Sequence, residues 1–155
     1  HHLTYANAVL VSSLFKAYLL IKNEEYKKLG LKSLDFILKT TTYKGIPAPI
    51  GQNGWYERGG KRSFFDQQPI DVGQTVIALI NAFEITHDKT YLNKAKEWFG
   101  WFYGNNMLGT SLYNKETSGC CDGLTEKGVN KNQGAESLLL YLMSYLELLR
   151  IYRIL

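Results

Sequence analysis

The chain has 155 residues, a net charge of +4, 45% hydrophobic residues and eleven tyrosines. That length gives one domain with room for a packed core, and the apolar and aromatic content excludes a disordered chain. The charge is scattered Lys rather than a polybasic block, so no nucleic-acid partner is expected.

Thr4 to about Lys22 is apolar on almost every side, through Tyr5, Val9, Leu10, Val11, Leu14, Phe15, Leu19, Leu20 and Ile21, which predicts a helix enclosed by others. Asn23 then stands where a cap belongs, with Glu24 and Glu25 at the positive end of a second helix running to about Lys39. This one is one-sided: Tyr26, Leu29, Gly30, Leu34, Ile37 and Leu38 make a stripe, with Lys27, Lys28, Lys32 and Asp35 facing away. Pro69 to about Ile85 repeats the enclosed type, with Pro69 in the first turn. Asp88 caps a second one-sided helix, Lys89 to about Tyr103. Gly134 to about Ile154 is enclosed again, without a one-sided partner after it.

Sliding the first pair by 65 positions lays Leu14 on Leu79, Ala17 on Ala82, Asn23 on Asp88 and Tyr26 on Tyr91. The repeat is therefore a helical hairpin with a turn of about three residues. Between hairpins lie two loops, 40–67 and 104–132, each of roughly thirty residues, far beyond the usual length. They carry Ile46, Ile50, Trp55, Tyr56, Phe64 and Phe65 in the first and Met107, Leu108, Leu112 and Tyr113 in the second. That content predicts ordered loops with short extended pieces or a small hairpin. The whole is all-α: about five helices in an (α/α) toroid-like arc, a partial ring with its long loops at one mouth. Residues 1–155 form a single helical-hairpin domain, expected to be a fragment or C-terminal part of a larger toroid.

The repeat also carries the chemistry. Gln68 with Asp71 and Gln133 with Glu136 are the same motif, 65 positions apart, at the starts of two enclosed helices. Parallel inner helices pack with axes about 8–10 Å apart, which suits a general acid and base on either side of a glycosidic bond, where inverting enzymes hold them about 6.5–9.5 Å apart. Acids in a first helical turn also complement the helix dipole with no chemistry at all. A helix N-terminus favours the ionised carboxylate, so a proton donor needs burial or a second acid nearby, and Asp66 is the nearest. Trp55 and Tyr56 offer aromatic faces for a sugar ring, and Gln, Asn and Arg side chains in the loops offer partners for its hydroxyls. Cys120 and Cys121 are adjacent, the wrong spacing for zinc, and His87 falls in a turn, so neither metal nor cofactor is expected. No signal-peptide pattern is seen and the longest apolar run is too short to cross a bilayer, which predicts a cytoplasmic protein with reduced thiols.

Several stretches together resemble one family: Gly51-Gln52-Asn53-Gly54-Trp55-Tyr56, Phe65-Asp66-Gln67-Gln68-Pro69, Thr90-Tyr91-Leu92, Gly119-Cys120-Cys121-Asp122-Gly123-Leu124 and Asn130-Lys131-Asn132-Gln133-Gly134-Ala135-Glu136-Ser137. They are similar to the helical-toroid domain of the six-hairpin glycosidase type that accompanies microbial glycosyltransferases. The resemblance implies a ring of (α/α) hairpins with a sugar-related site at one mouth. It places Arg62, Gln67, Gln68, Asp122, Asn132 and Gln133 around that mouth beside Trp55 and Tyr56, with Asp71, Glu136 and Asp66 as catalytic candidates. Two readings stay open. One is an enzyme acting on a glycan by carboxylate acid/base chemistry. The other is a non-catalytic glycan-binding or scaffold domain with a glycosyltransferase as partner or fused domain. The apolar last helix, through Leu138, Leu142, Leu146 and Leu149, is expected to be covered by a second copy in a homodimer or by a missing segment.

Overall fold

The computed structural model describes residues 2–153. Five α-helices occur among them: α1 (Ala8–Ile21), α2 (Glu24–Thr41), α3 (Pro69–Thr86), α4 (Lys89–Phe99) and α5 (Ala135–Tyr152). Each expected helix is present. The expected end of the last one at Ile154 lies outside the described residues.

The hairpin turn recurs atom for atom at its ends. Lys22 and His87 both take left-handed backbone, φ 57° and 58°, and their N–H groups donate back to Tyr18 O and Phe83 O at 2.8 and 2.7 Å. Each such turn satisfies a carbonyl at the helix end. The next residue caps the following helix: Asn23 Oδ1 accepts from Glu25 N at 2.9 Å and Asp88 Oδ1 from Thr90 N at 2.8 Å. The chain reverses within two residues, so α1 with α2 and α3 with α4 are antiparallel neighbours.

Two boundaries differ from expectation, for local reasons. The first helix begins at Ala8, not Thr4, because Ala6 sits at φ 55° and its N–H is drawn away to Asp71. The fourth gives way after Phe99 to a 3-10 turn, Gly100–Tyr103, where Asn105 and Asn106 take up backbone carbonyls of Glu97 and Trp101 through their side-chain amides.

α3 is the centre of the arc. It packs on α1 at one side, α5 at the other and α4 behind, while α2 lies behind α1. The approach of α3 to α5 depends on Gly73, where a Cβ would come within 2.8 Å of Leu140 O. Farther along the same pair, Arg150 binds Glu84 of α3 and Glu147 of its own helix, each at 2.6 Å. Phe15, Leu34, Val76, Leu79, Ile80, Trp101 and Phe102 fill the core without exposed surface.

The flanking inner helices are not enclosed as α3 is. Leu10, Thr75 and Leu140 are one repeat position, on the side facing the preceding inner helix; Thr75 and Leu140 are 3% and 7% exposed and Leu10 is 71%. Phe15, Ile80 and Tyr145 are another, beneath the outer helix; the first two are buried completely and Tyr145 is 39% exposed. An apolar all-round sequence marks a helix built for neighbours on every side. Among the described residues, no helix covers the outer flank of α1 or of α5, and Leu20 and Ile21 are exposed on α1 and Leu142 and Leu146 on α5.

The long loops carry the expected short extended pieces. β1 (His2–Leu3) pairs with β4 (Tyr56–Glu57), β2 (Thr42–Tyr43) with β3 (Ile46–Pro47), and β5 (Gly123–Thr125) with β6 (Gly128–Asn130), all antiparallel. The first loop opens on the β2–β3 hairpin and later pairs through β4 with β1, ahead of α1; the second carries its β5–β6 hairpin near its end, where Leu124 of β5 pairs with Gln67, ahead of α3. Among the described residues, no helix is long and apolar enough to cross a membrane.

Candidate functional site

The starts of α1, α3 and α5 lie at one end of the arc, and the carboxylates come from there. Asp71, in the first turn of α3, is buried. Its Oδ1 accepts the Ala6 N–H at 2.7 Å, and its Oδ2 is buried without a hydrogen-bond partner. The space beside it, lined by Asn7, Thr41, Thr75 and Trp98 among others, measures about 10 Å³. Burial pushes the carboxyl up to about 7; the Ala6 N–H pulls the other way, and the charge of Glu136 adds to the rise. Glu136, the matching residue of α5, is exposed. The two repeat-related acids are thus near enough to interact and differ sharply in environment. Ala6 is the same repeat position one hairpin earlier, so three successive repeats meet at this point: an amide, a buried acid and an exposed acid.

Asp66 is half-buried where the first loop enters α3. Its backbone carbonyl accepts from Gln52 N at 3.0 Å, and Phe65 O accepts from Asn53 N at 3.1 Å. This ties the Gly51–Gly54 turn, and Trp55 after it, to the approach to α3. Gly51 cannot carry a side chain there, since a Cβ would lie 2.1 Å from Phe65 O. Trp55 is half-buried at φ 54°, its N–H and C=O bonded to Gly51 O and Ser63 N, and its ring meets Tyr5 with centroids 6.0 Å apart. Tyr56 lines a different cavity, of about 430 Å³, with Leu3, Phe36 and Arg58.

The polar candidates divide between free and engaged. Gln67 has no exposed surface: Trp101 Nε1 donates to its Oε1 at 3.0 Å, and its Nε2 donates to Phe64 O at 2.8 Å. With its backbone paired to Leu124, it joins both long loops to the core. Arg62 is also turned inward. Its guanidinium donates to Thr40 O, Ala48 O and Pro49 O, closing the carboxyl end of α2, and burial lowers its pKa. Asp122 accepts from Gly134 N and Ser137 Oγ, both at 2.7 Å, and from Asn132 Nδ2. It caps α5 from a distance, and although burial alone would raise it, those three donors hold its carboxyl below the ordinary range. Asn132 is exposed with its amide on Asp122, and Gln133 is exposed with Oε1 accepting from Thr117 Oγ1 at 2.8 Å. Gln68 is half-buried and its side chain makes no capping bond. Cys120 and Cys121 are free thiols; burial pushes Cys120 up to about 12 and Cys121 up as well.

Sequence reasoning passed over Tyr5 and Ala6, reading both as the first turn of an enclosed helix. The period held the clue to Ala6, since one more step of 65 back from Asp71 lands on it. Nothing in the pattern distinguished Tyr5 from its apolar neighbours.

Solved structures share the fold over nearly the whole chain. A family 76 glycoside hydrolase from a bovine Bacteroides thetaiotaomicron strain superposes with a TM-score of 0.76 at 14% identity, over 96% of this chain and 31% of that one. A family 76 glycoside hydrolase (mannosidase) from Bacteroides thetaiotaomicron VPI-5482 gives 0.52 at 13% identity, over 96% of this chain and 56% of that one. The chain therefore spans about a third and just over half of these two enzymes. At such identities the likeness shows the fold, the (α/α) hairpin architecture of six-hairpin glycosidases. No protein-family model matches the sequence, and no curated protein does.

Proposed function

We propose that this domain acts on a glycan by carboxylate acid/base chemistry, as a glycoside-hydrolase-like module. The observation that carries the reading is the pairing of Asp71 and Glu136. They are one repeat position on adjacent inner helices, the first buried with its carboxyl pushed up to about 7, the second exposed. A buried acid that keeps its proton toward neutral pH, beside a second carboxylate open to solvent, is what acid/base chemistry on a glycosidic bond needs. In this reading Asp71 holds the proton for the leaving oxygen, Glu136 is the base, and Asp66 stands beside them. Trp55 supplies an aromatic face, while Gln68, Asn132 and Gln133 supply polar groups at the rim. Gln67, Arg62 and Asp122 act at one remove, by holding the loops and the start of α5. The architecture shared with two glycoside hydrolases, one of them a mannosidase, supports a sugar substrate and makes mannose-based glycans the first to try. Asp71→Asn and Glu136→Gln are each expected to lower turnover of a responsive glycan at least a hundredfold, as loss of a general acid or base does, with circular dichroism unchanged. Wild-type rates in both would refute the assignment.

A second reading is favoured by one feature. Asp71 has only about 10 Å³ of free space beside it and one oxygen already held by Ala6, as suits a buried structural acid. Under this reading the mouth binds a glycan without cleaving it, or seats the domain beside a glycosyltransferase, and glycan affinity without product release is the result that would select it. We further propose that these hairpins are an arc of a larger (α/α) ring. The exposed apolar strips on both outer edges support that, and the strip on α5 is the surface on which a second copy would sit.

A further inference from the structure

Tyr5 is 57% exposed, and the residues on both sides of it are held by hydrogen bonds. On its chain side, Asn7 Nδ2 donates to Thr4 O at 3.1 Å, Val9 N to Ala6 O at 3.0 Å, and Ala6 N to Asp71 Oδ1. On its ring side stands Trp55, whose plane is tilted 38° from that of Tyr5. Both arms of this corner are held at left-handed, non-glycine backbone, Ala6 at φ 55° and Trp55 at φ 54°. Such positions are strained for non-glycine residues and concentrate at ligand clamps. Two of them meeting at a pair of aromatics that stays open to solvent is not what a packing contact requires.

We infer that Tyr5 and Trp55 form the stacking wall of a sugar subsite next to Asp71, accepting the apolar C–H face of a pyranose ring. The inference deepens the glycan reading and rests on it. The chain itself closes the corner around the acids. Ala6 joins Tyr5 to Asp71, and the Gly51–Gly54 turn joins Trp55 to Asp66 through Gln52 N and Asn53 N. The side chains of Gln52 and Asn53 are exposed at the same turn, placed to bond hydroxyls around a stacked ring. Aromatic rings are well suited to this because their broad faces lose little freedom on binding.

The experiment is a tryptophan-emission titration of the protein with soluble α-mannan, xylan and dextran. Trp98 and Trp101 are buried, so a ligand-dependent shift reports Trp55. Wild type should bind at least one polysaccharide with a saturable emission change. Tyr5→Ala, with its fold checked by circular dichroism, should weaken that affinity on the order of tenfold, and Tyr5→Phe should keep it within about twofold. If Tyr5→Ala binds as wild type does, or binding leaves the emission unmoved, the wall is refuted while the carboxylate reading stands on its own turnover assay. If wild type neither binds nor turns over any of the three, the glycan reading fails and the wall falls with it.

Discussion

Replacing Asp71 by Asn changes one proton and almost no volume, and the consequence for stability can be worked from the structure. An unfolded Asp releases its proton near 3.8, whereas the folded carboxyl holds it to about 7. Between those values the folded state binds the extra proton, so the contribution of Asp71 is fully present below pH 3.8 and is lost as pH rises to about 7. At 1.36 kcal/mol for each pH unit, the swing is about 4 kcal/mol. Asn removes the titration and keeps an oxygen for the Ala6 N–H. Its amide nitrogen replaces an oxygen that has no partner, which adds a penalty that does not vary with pH. The measurable quantity is therefore the difference between the two proteins. In urea unfolding followed by tryptophan emission, the variant should gain on wild type by about 4 kcal/mol between pH 4 and pH 8. Stability curves that stay parallel over that range would refute the burial of a protonated acid at position 71. They would also remove Asp71 as the proton donor, since an acid already ionised at neutral pH cannot serve as one.

Gly73→Ala would set a methyl group against Leu140 O and Cβ, at 2.8 and 3.0 Å, so α3 and α5 must part; a loss of about 1–3 kcal/mol is expected despite the better helix propensity of Ala. Equal or greater urea resistance would show that the inner helices approach more loosely than described. Light scattering at micromolar concentration should find self-association through α5, abolished by Leu142→Glu together with Leu146→Glu; a soluble monomer indifferent to both changes would rule it out.

Much of the architecture follows from short-range chemistry that a sequence displays directly. Asn23 and Asp88 are caps by residue type, and the 3.6-residue periodicity of Tyr26 to Leu38 marks an outer helix wherever it is placed. The 65-residue step then links Asp71 to Glu136 before any coordinates exist. What periodicity cannot reveal is which neighbours are present. Phe15, Ile80 and Tyr145 are equivalent in sequence, and only packing decides that two are sealed and the third is 39% exposed. The same holds for side chains that bond across loops. Gln67, Arg62 and Asp122 read as polar rim residues, and tertiary structure turns the first two inward and spends the third on capping α5. The contrast between Asp71 and Glu136 is of this kind too. Each opens a helix with the same local field, so the sequence predicts like acids. Burial between α1, α2 and α4, with the charge of Glu136 added and the Ala6 amide pulling the other way, raises Asp71, while Glu136 stays exposed. A proton affinity is set by everything within a few ångströms, and those atoms come from parts of the chain 65 residues away.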